Sequence, residues 1–381
     1  MQNKSGIIIC AGGWRLTMTW ANVFLLRLLG TKLPIEVWHM PGEMTQGAAE
    51  LLRMAGATTR LLQAKARGYW TVPFAVAESN FEEVLVLASD FTPLAAIDAL
   101  FDSPLYLRHG GVLATDMGDL RDRGWFPEAW TRLGLEAPTC PQEDIRCPAV
   151  WETDSVVMVL NKRRCPGGGV LRALAADGQE SRRYETSGDK ELYRLAWEAV
   201  GCSVAFLPYP SVVGTYWDEF LGFAMAPKAP NGEFLGLHWA WSKSTLHGFL
   251  PQMSKVQSAP EDGYALHVVD TMSLPDILID KVLATAGDEL NFSYSVRMTT
   301  CYAANGSQVP CTFEDFSSAG PLKGSVTLEL FWDLLQFARR AFHDCTDGDI
   351  GARCDLRPYI SPHIRRLVWR QFQKARLKFD T

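Results

Sequence analysis

Asp90 follows a short apolar run, Val84–Leu87, through Ala88-Ser89. A carboxylate just past a buried strand can hold a hard divalent cation, which prefers oxygen ligands and keeps open positions for phosphate oxygens. The same placement also suits a helix N-cap or a turn former. His238 follows the apolar run Phe234–Leu237. Its imidazole could join that cation or serve as a hydrogen-bonded structural group. Glu152 and Asp154 flank the start of another apolar run, and Asp189 lies in Gly188-Asp189-Lys190 before a helical pattern. Asp189 therefore reads either as an N-cap that favours the helix dipole or as a carboxylate that orients or deprotonates a hydroxyl.

The elements that must position these groups are legible in the apolar pattern. Gly6–Cys10 is a continuous apolar run ending at Ala11-Gly12-Gly13, as expected of a strand buried on both faces. Helical spacing over Leu16–Leu29 closes at Gly30. Leu33–His39 reads as a strand, Ala48–Ala55 as a helix stopped by Gly56, and Thr59–Leu62 and Val84–Leu87 as strands. This alternation predicts an α/β fold with an open, mostly parallel twisted sheet flanked by helices. Ligands of such sheets bind beyond the carboxyl ends of the strands, which draws attention to Gly12-Gly13 and to Asp90. Gly12-Gly13 is not a GxGxxG fingerprint.

Further strands are expected at Gly111–Thr115, Ser155–Leu160 and Val204–Leu207, with a helix over Glu191–Val200. Beyond Pro251 the pattern loosens, with strands expected within Asp262–Asp270 and Leu290–Cys301 and an amphipathic helix over Ser325–Phe342. The organisation expected is a ligand-binding and catalytic unit over residues 1–250 and a mixed β and α extension over 251–381.

The 381 residues carry a net charge of −6, which argues against a nucleic-acid partner. The basic stretch His363–Lys378 reads as a solvated or partner-facing helix. No run of apolar residues is long enough to span a membrane. Among nine cysteines, Cys140/Cys147, Cys301/Cys311 and Cys345/Cys354 are near enough in sequence to bridge, whereas Cys10 and Cys202 read as buried free thiols. Trp14, Trp20, Trp38, Trp70, Trp125, Trp130, Trp217, Trp239 and Trp241 are candidates for stacking on sugar rings or for core packing.

Five segments in order carry a resemblance. They are Gly6–Gly13; Ala21–Gly30 with Leu33-Pro34-Ile35-Glu36-Val37; Phe81–Leu87 with Pro93; Trp151–Ser155 with Asn161-Lys162-Arg163-Arg164; and Gly188-Asp189-Lys190-Glu191. With Val213-Gly214, Gly222–Met225, His238 and Lys243, they resemble the fungal α-mannosyltransferases of glycosyltransferase family 71 over roughly residues 6–245.

The resemblance implies a GT-A fold, a nucleotide-sugar donor (GDP-mannose), Mn²⁺ or Mg²⁺, retention of anomeric configuration, and a glycan or glycoconjugate acceptor. It implies Asp90 and His238 as cation ligands and Gly12, Gly13, Lys190 and Lys243 on the donor side. Glu152 and Asp189 fall near the acceptor. Ala88 stands where the family has the first residue of Asp-x-Asp. The compartment is expected to be the Golgi lumen if an anchor has been removed, and otherwise the cytoplasm. Two alternatives are a carbohydrate- or partner-binding protein on a degenerate GT-A fold, and a transferase that uses another nucleotide sugar.

Overall fold

The computed structural model describes residues 4–13, 15–120, 127–139, 148–181, 188–216 and 220–239, with short segments between 266 and 338. The main sheet is built from β1 (Ser5–Cys10), β2 (Ile35–His39), β3 (Thr58–Leu61), β4 (Glu83–Leu87), β6 (Gly111–Asp119), β7 (Trp151–Asn161) and β8 (Ala205–Phe206). A short strand β5 (Phe91–Pro93) leaves this sheet and joins a second one with β9 (Ser211–Tyr216), β10 (Phe220–Ala226) and β11 (Gly236–His238). The helices are α1 (Arg15–Leu28), α2 (Gln46–Ala55), α3 (Thr71–Glu78), α4 (Pro104–His109), α5 (Glu128–Thr131), α6 (Gly168–Ser181) and α7 (Leu192–Ala199).

The main sheet runs in the order β3-β2-β1-β4-β7-β6-β8. Neighbours among β3, β2, β1 and β4 are parallel, as are β6 and β8, while β7 is antiparallel to both β4 and β6. The expected open, mostly parallel α/β sheet is therefore the observed one. Strand order reverses between β1 and β4, because β2 and β3 extend to one side and β4 begins the other. The carboxyl ends of β1 and β4 border the crevice at this reversal, the usual place for a ligand in open α/β sheets.

Period-two alternation divides the core into layers on the two faces of the sheet. Ile7 and Ile9 of β1 and Leu85 and Leu87 of β4 pack with α1 and α2 on one face. Ile8, Val84, Val86, Met158 and Leu160 pack with α3, α6 and α7 on the other. Both layers are apolar, so the strands read as continuous apolar runs.

Helix α1 is buried from Leu16 to Leu26, and its Asn22 Nδ2 donates to the Ser89 carbonyl at 3.0 Å. That bond ties the turn after β4 to the core. Segments from beyond residue 250 extend the second sheet, with Leu266–Val269 on β9 and Val296–Met298 on β10. Leu334, Leu335 and Ala338, within the expected late helix, are buried in the α1 layer.

Two sequence readings change. Cys202 is bonded to Cys165, with Cα atoms 6.0 Å apart; the partner lies 37 residues upstream, too distant for local spacing to suggest it. Cys10 is buried and free, as expected. Trp20, Trp38, Trp130 and Trp239 are buried core rings, which removes them from sugar stacking. Trp14, Trp125, Trp217, Trp241, the Cys140/Cys147 and Cys345/Cys354 pairs and the basic stretch lie outside the described residues.

Candidate functional site

A cleft of about 370 Å³ opens at the strand-order reversal, within the size range of roughly 300–1,000 Å³ usual for small-molecule sites. Its floor is the ends of β1 and β4, and its lining includes Asp90, Asp116, Asp154, Asp189, Lys190 and His238. Asp90, His238, Asp189 and Lys190 thus come together as the sequence suggested.

The meeting of Asp90 and His238 depends on the small strand β5. It pairs antiparallel with β11, with Phe91 opposite His238 and Pro93 opposite Gly236. The Trp239 amide donates to the Asp90 carbonyl at 3.1 Å. A Cβ on Gly236 would lie 2.3 Å from the Phe91 ring and 2.4 Å from the Thr92 carbonyl, so only glycine permits this approach. The result places His238 Nε2 3.8 Å from Asp90 Oδ1. His238 Nδ1 lies 2.8 Å from Asp154 Oδ2, at hydrogen-bond distance. All three side chains are buried.

The Asp90–His238 separation is too long for a hydrogen bond and lies within the span, about 4.4 Å at most, that two donors on one cation can bridge at ligand distances of about 2.0–2.2 Å. Among the described residues, no group of three or more acidic, His or Cys side chains is arranged to hold a metal. Asp90 and His238 are the two donors that would hold an Mg²⁺- or Mn²⁺-like ion here, an ion that would supply positive charge beside a phosphate group.

Asp189, at the N-terminal approach to α7, accepts from Tyr193 Oη at 2.5 Å and from Ser155 Oγ at 3.2 Å. Burial pushes its carboxyl up to about 6, against the lowering effect of these hydrogen bonds and of Lys190. Lys190 is ion-paired with Asp116. Burial alone would lower its ammonium pKa, but the carboxylates of Asp116, Asp154 and Glu152 outweigh burial and hold it above the ordinary value. Glu152 is buried on β7 and is not among the described residues that line the cleft. Its neighbour Thr153 is clamped by the carboxylate of Glu191, which accepts from the Thr153 amide at 2.5 Å and hydroxyl at 3.2 Å. Burial raises Glu191 to about 7, with the Arg194 guanidinium opposing.

Gly12 and Gly13 form the turn from β1 into α1. Gly13 has φ +56°, and a Cβ on Gly12 would clash with Glu43. They shape the approach of Arg15, which lines the cleft, and are not themselves among the described lining residues. Lys243 lies outside the described residues.

Sequence reasoning missed Arg15 and Tyr69. Tyr69 is 53% exposed at the cleft, with the Arg15 guanidinium 6.0 Å from its ring centre. Neither belongs to a motif, although the position of Arg15 at the start of α1 was a signal available in the pattern.

Residues 4–117 match a family model described as "Mannosyltransferase putative", well under half of the 381 residues. No curated protein matches. Among solved structures, the glycosyltransferase GlyE of Streptococcus pneumoniae TIGR4 shares 12% identity over 54% of this chain and 45% of its own, with a TM-score of 0.36. The chain thus spans less than half of GlyE. A mutant of LgtC shares 11% identity over 53% of this chain and 72% of its own, with a TM-score of 0.38. Mouse xyloside xylosyltransferase 1 shares 14% over 53% and 84%, with a TM-score of 0.33. Likenesses this distant add nothing to the fold argued from strand order.

Proposed function

We propose that this chain is a GT-A-type glycosyltransferase that moves a sugar from a nucleotide-sugar donor to a glycan or glycoconjugate acceptor. The donor we favour is GDP-mannose, used with retention and a Mn²⁺ or Mg²⁺ ion. The observation that carries the reading is the Asp90–His238 pair at the strand-order reversal, 3.8 Å apart at the floor of the cleft. The mannosyltransferase family model over residues 4–117 supports the choice of sugar.

The charge of the cleft agrees with this reading. Asp90, Asp116, Asp154 and Asp189 face it, against the cations Arg15 and Lys190. Such a wall disfavours a bare diphosphate and favours one that arrives with a divalent cation. Asp90 and His238 would hold that cation, which supplies charge neutralisation for the departing nucleoside diphosphate.

Arg15 offers a further positive charge, and the exposed Tyr69 ring a flat apolar face for a base or a sugar. Asp189, held by Tyr193 and Ser155, orients the acceptor hydroxyl and takes its proton. Glu152 acts from behind the cleft, through its field on Lys190. The Cys165–Cys202 bond favours an oxidising compartment such as the Golgi lumen.

Isothermal titration of GDP, GDP-mannose and UDP-sugars with and without Mn²⁺ tests the reading. GDP-mannose is expected to bind only with Mn²⁺, and Asp90→Ala to abolish that binding. Failure of every nucleotide sugar to bind would remove the hypothesis. Ala88, which leaves the cation with two protein donors, favours a second reading: a non-catalytic carbohydrate- or partner-binding protein. Donor binding without any release of nucleoside diphosphate, across a panel of acceptors, would support that alternative.

A further inference from the structure

The geometry points to Asp154 as a positioning residue that fixes the ring and tautomer of His238 so that its Nε2 lone pair faces the cation; this rests on the cation reading above. The two imidazole nitrogens meet two different carboxylates. Nδ1 lies 2.8 Å from Asp154 Oδ2, a hydrogen bond, while Nε2 lies 3.8 Å from Asp90 Oδ1, beyond one. A neutral imidazole carries one proton, and the acceptor at bonding distance draws it to Nδ1. Nε2 is then left as a lone pair directed toward Asp90. Histidines that ligate metals characteristically donate their other N–H to a carboxylate in this way, which orients the ring and raises its basicity.

The chain is built to place Asp154 there. β4 ends its pairing at Leu87 opposite Val157, so β7 extends past β4 toward the cleft. Between β6 and β7 the register jumps from Leu113 opposite Met158 to Ala114 opposite Asp154. Such bulges re-aim side chains beside functional sites. Asp154 Oδ1 is held in turn by the Val156 amide at 3.2 Å, and the preceding Thr153 is clamped by Glu191. The carboxylate is therefore anchored before the histidine reaches it.

Two readouts test this on the full chain. With selective ¹⁵N-histidine labelling there are seven histidines to resolve, and His238→Gln assigns the signal. In wild-type protein without cation, at a pH where the ring is neutral, His238 should carry its proton on Nδ1; in Asp154→Ala it should shift toward the Nε2–H form. In the second, Mn²⁺ binding in the presence of GDP is followed by electron paramagnetic resonance. Asp154→Ala should weaken it by about 10- to 100-fold. Asp154→Asn, which preserves shape, should fall between that variant and wild type. An Nε2–H tautomer in the wild type, or unchanged Mn²⁺ affinity in Asp154→Ala, overturns the role of Asp154 alone. Absence of Mn²⁺ binding in the wild type overturns the cation reading itself, and the role of Asp154 falls with it.

Discussion

At the residue scale, Asp189 shows how burial turns an ordinary carboxylate into a group that works near neutrality. Its pKa is raised from 3.8 to about 6, mainly by desolvation. If it accepts the proton of the acceptor hydroxyl, transfer should rise with pH through about 6, and Asp189→Asn should abolish that limb; a pH–rate profile checks this. Stability should run the other way. The folded state binds this proton more tightly than the unfolded chain, so the stability the group contributes is complete below pH 3.8 and lost as pH rises through about 6. Asp189→Asn should therefore be more stable than wild type by roughly 3 kcal/mol at pH 8, with the gap closing toward pH 4, as measured by urea unfolding. The Asp189 position was legible because a polar Gly188-Asp189-Lys190 precedes a helical pattern. Its perturbed pKa was not, because the burial that raises it exists only in the folded chain.

At the element scale, the decisive piece is β11 lying against β5. Gly236→Ala would drive a methyl into the Phe91 ring and the Thr92 carbonyl. Displacing this strand should cost about 1–3 kcal/mol of stability and separate His238 from Asp90. Loss of Mn²⁺-dependent donor binding at a temperature where the main sheet stays folded, followed by titration and circular dichroism, is the expected result; unchanged binding would show that the strand contact is dispensable. The strands β1, β2 and β4 and helices α1 and α2 were readable because apolar runs and glycine stops are local signals. Helix α6 was not anticipated, since Gly168, Gly169 and Gly178 lower its helical propensity. Gly178 makes room for the Trp70 ring, which would have to shift for a Cβ placed 2.7 Å from it. The antiparallel direction of β7 was equally hidden, because an apolar run buried on both faces has no polarity.

At the scale of the whole molecule, the Cys165–Cys202 bond ties the start of the α6 region to the end of α7. Closing a loop of 37 residues should contribute roughly 3–4 kcal/mol through the unfolded chain. Protein made in an oxidising compartment should show this linked pair by non-reducing peptide mapping, and Cys165→Ser should lower the melting temperature. The antiparallel contact of β5 with β11 also has a consequence for the order of assembly. Asp90 leaves the ribosome with the first half of the sheet, whereas its partner His238 follows only after β6, β7, β8, β9 and β10. Pairings of such long sequence separation form late, because the intervening loop must be closed first. The ion site is thus a product of completed folding, and a chain stopped after β8 would keep much of the sheet while lacking the second donor.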